Sequence, residues 1–162
     1  MKTIVSDIDG VIVRGVIPGS GFLLEHFESL LGAFLGTSLG HRLYRYFRKV
    51  NPEVRELLLQ VRNAGYRIVL ITGAKARHWQ LVVDFLNEKD VPYDLLRLSD
   101  GVLESVTQFK ARILAEIKPV VYLEDKLQIL RVLQNAGLAC KIVPVRKGKF
   151  DPSIILDVLR AA

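Results

Sequence analysis

A chain of 162 residues that is 50% hydrophobic and 25% charged can bury one ordinary core and hardly two, which excludes intrinsic disorder and makes one domain with an insert the expectation. The formal net charge of +6 favours anionic partners, because a basic surface raises the local concentration of phosphates and polyanions. A single cysteine, Cys140, excludes an internal disulfide framework and a multi-cysteine zinc site; it fits a reducing interior and reads by itself as a small buried residue on a strand.

Met1-Lys2-Thr3 leads into a short apolar run that meets Asp7 and Asp9 almost at once. That leaves no room for a signal-peptide core, so a cytoplasmic protein is expected. The run Thr3 to Ser6 reads as the first strand. Residues 10 to 50 then carry glycine-punctuated apolar sequence followed by a basic aromatic patch, His41-Arg42-Leu43-Tyr44-Arg45-Tyr46-Phe47-Arg48-Lys49. This stretch reads as an insert, or cap, of one or two short helices over the sheet edge. Its longest uncharged run, Ser29 to Gly40, falls short of the about 18 residues a membrane span needs. Gly32, Gly36 and Gly40 argue against a long amphipathic helix lying on a membrane.

After residue 50, short runs of Val, Ile and Leu alternate with stretches of helical spacing. Strands are expected at Arg67 to Ile71, Asp94 to Leu98, Val120 to Leu123 and Ala139 to Val143. Each is a continuous apolar run of the kind a sheet covered on both faces demands. Helices are expected at about Pro52 to Ala64, Ala76 to Glu88, Val106 to Ile117, Lys126 to Asn135 and Pro152 to Arg160. Pro52 suits a first turn, and Gly65 and Gly137 suit helix C-termini. The pattern is α/β: a Rossmann-like three-layer sandwich with a central parallel five-stranded sheet, the insert following the first strand.

In such a sheet, ligands bind beyond the carboxyl ends of the strands, so polar residues that end apolar runs are the candidates. Asp7 and Asp9 leave the first strand two residues apart, with Gly10 to let the chain turn; their crowding needs a cation or a proton. Thr72 and Gly73 end the second strand and provide a hydroxyl and a backbone donor for a phosphate. Lys110, early in a helix, could swing its ammonium to the same mouth. Glu124 and Asp125 end a later strand as an acidic pair. Taken singly, Thr72 reads as well as a helix N-cap, Lys110 as a solvated lysine, and Glu124 or Asp125 as caps of the next helix. Nothing in a helix or turn requires both Asp7 and Asp9, and coincidence explains all four features in order poorly.

Taken together, the four features resemble the motifs of the haloacid dehalogenase (HAD) superfamily, and the match runs from Ile4 to Cys140. The resemblance implies a Mg²⁺-dependent phosphatase in which Asp7 is the nucleophile that forms an aspartyl-phosphate. Asp9 would protonate the leaving oxygen and activate the water, its backbone carbonyl also reaching the metal. Thr72, the Gly73 amide and Lys110 would bind the phosphoryl group. Asp125 is the first choice as direct metal ligand and Glu124 as its support, though an acidic pair leaves that order open. The all-oxygen set suits Mg²⁺ over zinc, and no pair among His26, His41 and His78 has zinc-ligand spacing. Asp9 argues for phosphate over halide chemistry, since dehalogenation needs no proton donor two residues after the nucleophile. Val11 stands where many members have Thr.

The substrate is less determined. Trp79, Val91-Pro92-Tyr93-Asp94, Phe109-Lys110, Glu124-Asp125-Lys126 and Ala136-Gly137-Leu138 resemble the phosphatase domain of polynucleotide kinase-phosphatases, with Glu124 and Lys126 where Asp and Arg are usual. That implies a nucleic-acid 3′ end, with which the charge and the 41 to 49 patch are compatible. A phosphorylated metabolite or nucleotide is the broader expectation. A module of the same fold that binds phosphate or a partner without turnover is the alternative from another class. The insert also leaves a homodimer contact open.

Overall fold

The computed structural model describes residues 1–15, 40, 46, 48–100, 104–138, 140–146 and 149–160. Five parallel strands build the main sheet: β1 (Thr3–Asp7), β4 (Arg67–Lys75), β5 (Leu95–Ser99), β6 (Val121–Glu124) and β7 (Lys141–Pro144), in the spatial order β5-β4-β1-β6-β7. β1 lies in the middle, with Asp7 opposite Ile71 of β4 and Ser6 opposite Leu123 of β6. Every crossover carries a helix, as parallel neighbours require.

The period of two along each strand divides the core in two. Ile4, Ile68, Leu70, Val121 and Leu123 face one layer, made with α1 (Pro52–Asn63), α2 (Trp79–Glu88) and α5 (Ser153–Arg160). Val5, Val69, Ile71 and Tyr122 face the other, against Phe109, Ile113 and Leu114 of α3 (Val106–Ile117) and Ile129 and Leu133 of α4 (Leu127–Asn135). The expected three-layer α/β sandwich with a five-stranded parallel sheet is therefore the observed fold.

Local chemistry fixes the helix ends. Pro52 opens α1, whose buried residues Val54, Leu57, Leu58 and Val61 follow helical spacing, and Gly65 closes it with φ of 81°. Ser105 caps α3 in a reciprocal box with Gln108. Gly137, φ 65°, follows α4 in the same way as Gly65 follows α1.

Three differences from the sequence reading matter. β4 runs on to Lys75, past the expected end at Ile71, because its pairing with β5 shifts register between Thr72 and Lys75. The helix expected from Ala76 begins as a 3₁₀ turn, Ala76–His78, before α2. The two ends of the 10 to 50 stretch form an antiparallel ribbon, β2 (Val13–Gly15) with β3 (Arg48–Val50), Val13 facing Val50. The short helices expected within the insert lie outside the described residues. Cys140 is half-buried and immediately precedes β7. Among the described residues no helix is long and apolar enough to cross a membrane.

Candidate active site

Asp7, the last residue of β1, ends the middle strand and is 2% exposed. Its side chain shares a sheet face with Val5, which directs it towards α3. There Lys110, on the inner face of α3 and 1% exposed, places Nζ 3.0 Å from Asp7 Oδ1 and 2.7 Å from Glu124 Oε2. The solvated reading of Lys110 is thus excluded: its ammonium is buried between two acids. Gly73 sets this approach, because a Cβ there would stand 2.9 Å from Val106 Cγ1 at the start of α3.

Glu124, the last residue of β6, is fully buried and fully hydrogen-bonded. Its Oε2 accepts from Lys110 Nζ and from the Tyr122 hydroxyl, and its Oε1 accepts the backbone N–H groups of Asp125 and Lys126 at 3.1 Å each. Asp125 stands beside it in another condition: its Oδ1 is buried with no hydrogen-bond partner. Asp7 Oδ1 likewise accepts no aligned hydrogen bond, having Lys110 beside it as an ion pair only. Carboxylate oxygens of Asp7, Glu124 and Asp125 lie within 4.8 Å of one another, the one such group among the described residues.

The electrostatics follow from that crowding. Burial, opposed by Lys110 and reinforced by Glu124, pushes Asp7 up to about 7. Burial together with neighbouring Glu124 pushes Asp125 up to about 6. Burial acts on Glu124 too, but the adjacent Lys110 outweighs it and the carboxyl titrates below its usual range. Burial also lowers Lys110, and the two acids overcome this and hold it raised. Tyr122 is held well above its usual value by burial and by the surrounding acids, so its hydroxyl remains a donor. A buried Asp125 oxygen without a hydrogen bond, beside an Asp7 carboxyl that burial also raises, is what a hard cation with oxygen ligands would relieve.

Asp9 sits further out, its side chain 45% exposed. Thr72 Oγ1 donates to Asp9 Oδ2 at 2.9 Å while accepting the Ala74 N–H at 3.1 Å. Arg48, from β3, closes on the other oxygen of Asp9 as an ion pair. Burial lowers Arg48 to about 10, the nearby charge of Asp7 opposing the shift, so the guanidinium stays charged at neutral pH. Between β1 and the ribbon, Gly10 turns at φ of 85°, and a Cβ there would collide with the Asp125 carboxylate. Arg14 Nη2 donates to Asn51 Oδ1 at 2.8 Å and so ties β2 to the start of α1.

The structure therefore brings together Asp7, Lys110, Glu124 and Asp125 in one buried cluster, with Asp9 and Thr72 joined at its mouth and Gly73 next to Thr72. Of the histidines, His78 ends the 3₁₀ turn and takes no part in the acidic group, while His26 and His41 lie outside the described residues. Two contributors escaped the sequence reading. Arg48 was visible only as part of a basic run, and Tyr122 only as a strand residue; its parity with Glu124, two residues on along a strand, was the available signal.

No family model matches the sequence, and no curated protein matches it either. Solved structures do. Chains of the Pnkp1/Rnl/Hen1 RNA repair complex superpose with a TM-score of 0.65 in two structures, at 19% and 20% identity, covering 92% of this chain in each case. This chain spans 47% and 43% of those two chains, less than half of either. The HAD domain of the effector protein Lem4 from Legionella pneumophila, an inactive mutant, gives 0.61 at 16% identity, with 99% of this chain and 93% of that one covered. D,D-heptose 1,7-bisphosphate phosphatase from B. bronchiseptica, complexed with magnesium and phosphate, gives 0.60 at 14% identity over 100% of both chains. At these identities the likeness establishes the fold alone, and the chemistry rests on the residues.

Proposed function

We propose that this chain is a HAD-type phosphohydrolase that cleaves a phosphomonoester through an aspartyl-phosphate on Asp7. The observation that carries the reading is the position of Asp7: a buried carboxylate at the end of the middle strand, with an ammonium 3.0 Å from Oδ1 and further acids alongside. A structural ion pair would not leave Asp125 Oδ1 buried and without a hydrogen bond.

Asp7 attacks phosphorus, and the bond to the leaving oxygen breaks as Asp9, which exchanges its pairing with Arg48 for a proton from solvent when substrate enters, gives that proton to the leaving oxygen. Asp9, now ionised, takes a proton from water, which attacks the phosphorus of the aspartyl-phosphate, frees Asp7 and releases inorganic phosphate. Lys110, Thr72 and the Gly73 N–H bind the phosphoryl oxygens and offset charge that grows in the transition state. Asp7, Asp125 and the Asp9 backbone carbonyl would hold Mg²⁺, with Glu124 supporting them. When bound, the ion supplies charge neutralisation between the nucleophile and the phosphoryl oxygens. Residues 10 to 50 form an insert within a single HAD-like domain that works in the cytoplasm.

The small-molecule reading, a phosphorylated metabolite or nucleotide, stands first. A nucleic-acid 3′ end is the second, favoured by the net charge of +6, by Arg48 at the mouth, and by the likeness to a chain of an RNA repair complex. Phosphate release from a panel of phosphomonoesters that includes 3′-phosphorylated oligonucleotides, with and without Mg²⁺, tests both. Metal-dependent release that disappears in Asp7→Asn is expected. A folded wild-type protein that releases nothing from any member would instead favour a non-catalytic module that binds phosphate or a partner.

A further inference from the structure

Behind the nucleophile, the side chain of Tyr122 is completely buried, and its ring packs in the layer of Val5, Val69, Phe109 and Ile113. Phenylalanine would fill that layer equally well. A phenolic hydroxyl in such surroundings is costly unless it is bonded. Here it donates to Glu124 Oε2, the same oxygen that accepts Lys110 Nζ at 2.7 Å. Each oxygen of Glu124 already takes two donors, which fills the lone-pair positions of a carboxylate. Glu124 therefore has no lone pair to offer a cation. Its donors hold it rigidly, and it holds Lys110.

We propose that Tyr122 is a positioning residue: its hydroxyl fixes Glu124, and Glu124 in turn fixes the Lys110 ammonium beside Asp7 Oδ1. Three links run in sequence from the core layer to the nucleophile, Tyr122 to Glu124, Glu124 to Lys110, and Lys110 to Asp7 at 3.0 Å. The inference rests on the phosphohydrolase reading, in which that ammonium offsets charge on the transferring phosphoryl group. It also separates the two acids of the pair: Asp125 would hold the metal, while Glu124 holds the lysine.

Tyr122→Phe preserves the ring and its packing, so the fold is retained, as circular dichroism would verify. With p-nitrophenyl phosphate as substrate, kcat should fall by roughly 10- to 100-fold, the range seen when a supporting hydrogen bond to a site ligand is lost, with KM changing far less. The Mg²⁺ concentration for half-maximal activity should stay at the wild-type value, whereas Asp125→Asn should raise it. A readout independent of turnover comes from metal-free protein labelled with ¹⁵N-lysine. A buried, ion-paired ammonium exchanges slowly with water, and the Lys110 signal is identified by its loss in Lys110→Arg. In Tyr122→Phe this signal should shift and exchange faster. An unmoved signal overturns the proposal whatever the turnover, and so does a raised Mg²⁺ requirement, which would make Glu124 a metal ligand. If wild-type protein hydrolyses nothing, the phosphohydrolase reading fails by itself, and the ammonium signal still decides whether Tyr122 positions Lys110.

Discussion

Replacing Lys110 by methionine keeps the length of the side chain and removes the charge between Asp7 and Glu124. Both acids are nearly inaccessible, at 2% and 0% exposure, and stand 3.0 and 2.7 Å from Nζ. Removing one partner of such a buried pair leaves uncompensated charge and costs about 3–5 kcal/mol. With two acids orphaned at once, the upper part of that range is expected at neutral pH, a large fraction of the roughly 5–15 kcal/mol that holds a domain together. The sign with pH follows from the direction of the shifts. Without Lys110, the folded-state pKa values of Asp7 and Glu124 both rise, so the folded state binds more protons than the unfolded one from about pH 4 up to those raised values. Stability of the variant therefore falls as pH rises through that window. The deficit against wild type should be small near about pH 5 and wide near about pH 8. Urea unfolding without metal, followed by far-UV circular dichroism and by the fluorescence of Trp79, measures this directly. A loss below about 1 kcal/mol at neutral pH, or one that does not change with pH, would refute the buried-pair account.

Other expectations follow from the same geometry. Asp7 and Asp125 are raised to about 7 and about 6, chiefly by burial, so metal-free protein should lose stability as pH climbs from the ordinary carboxylate range through those values. Mg²⁺ competes with the same protons, and its effect on Tm by differential scanning fluorimetry should be larger at about pH 8 than at about pH 5; the opposite trend would contradict the proposed ligands. Gly10→Ala puts a methyl group against the Asp125 carboxylate at a positive φ, which costs about 1–2 kcal/mol in backbone strain alone. Titration calorimetry should show Mg²⁺ binding weakened by roughly tenfold or more, comparable to losing a supporting contact of a metal ligand. Ser105→Ala removes the capping box of α3 and should lower stability by about 1 kcal/mol in urea, leaving kcat as in wild type.

Strand ends were the most legible part of the sequence. Ile4-Val5 and Ile68-Val69-Leu70-Ile71 are apolar and buried on both faces, and Asp7, after the buried Ser6, and Thr72 then mark the mouth of the sheet. Lys110 was legible as a candidate but not as a buried group, because its place on α3 between Phe109 and Ile113 gives an inner-face position that a lysine normally avoids. The ribbon was not legible at all. Val13–Gly15 and Arg48–Val50 are three-residue strands, one containing glycine and the other two cations, too short to show a period. Their pairing comes from chain geometry, with Gly10 turning β1 aside and Asn51 donating its backbone N–H to Ile12. Arg48, carried by that ribbon, was hidden for the same reason. The order within the acidic pair could not be read either, since hydrogen-bond saturation of Glu124 depends on Tyr122 and Lys110 meeting it in space.

The placement of β1 has a consequence in time. Its neighbours are β4 and β6, so the strand made first pairs with segments made after Arg67 and after Val121. Non-local pairing of this kind is slow, because the loop must close before the contacts reward it. On the ribosome, Asp7 therefore leaves the tunnel before Glu124 and waits for its full setting until Glu124 has followed. Until then the apolar residues Ile4 and Val5 lack their second edge partner and are open to non-native contacts. A chain cut short before β6 would hold Lys110 and Thr72 but lack Glu124 and Asp125, so the acidic group closes around Asp7 only once β6 has been made.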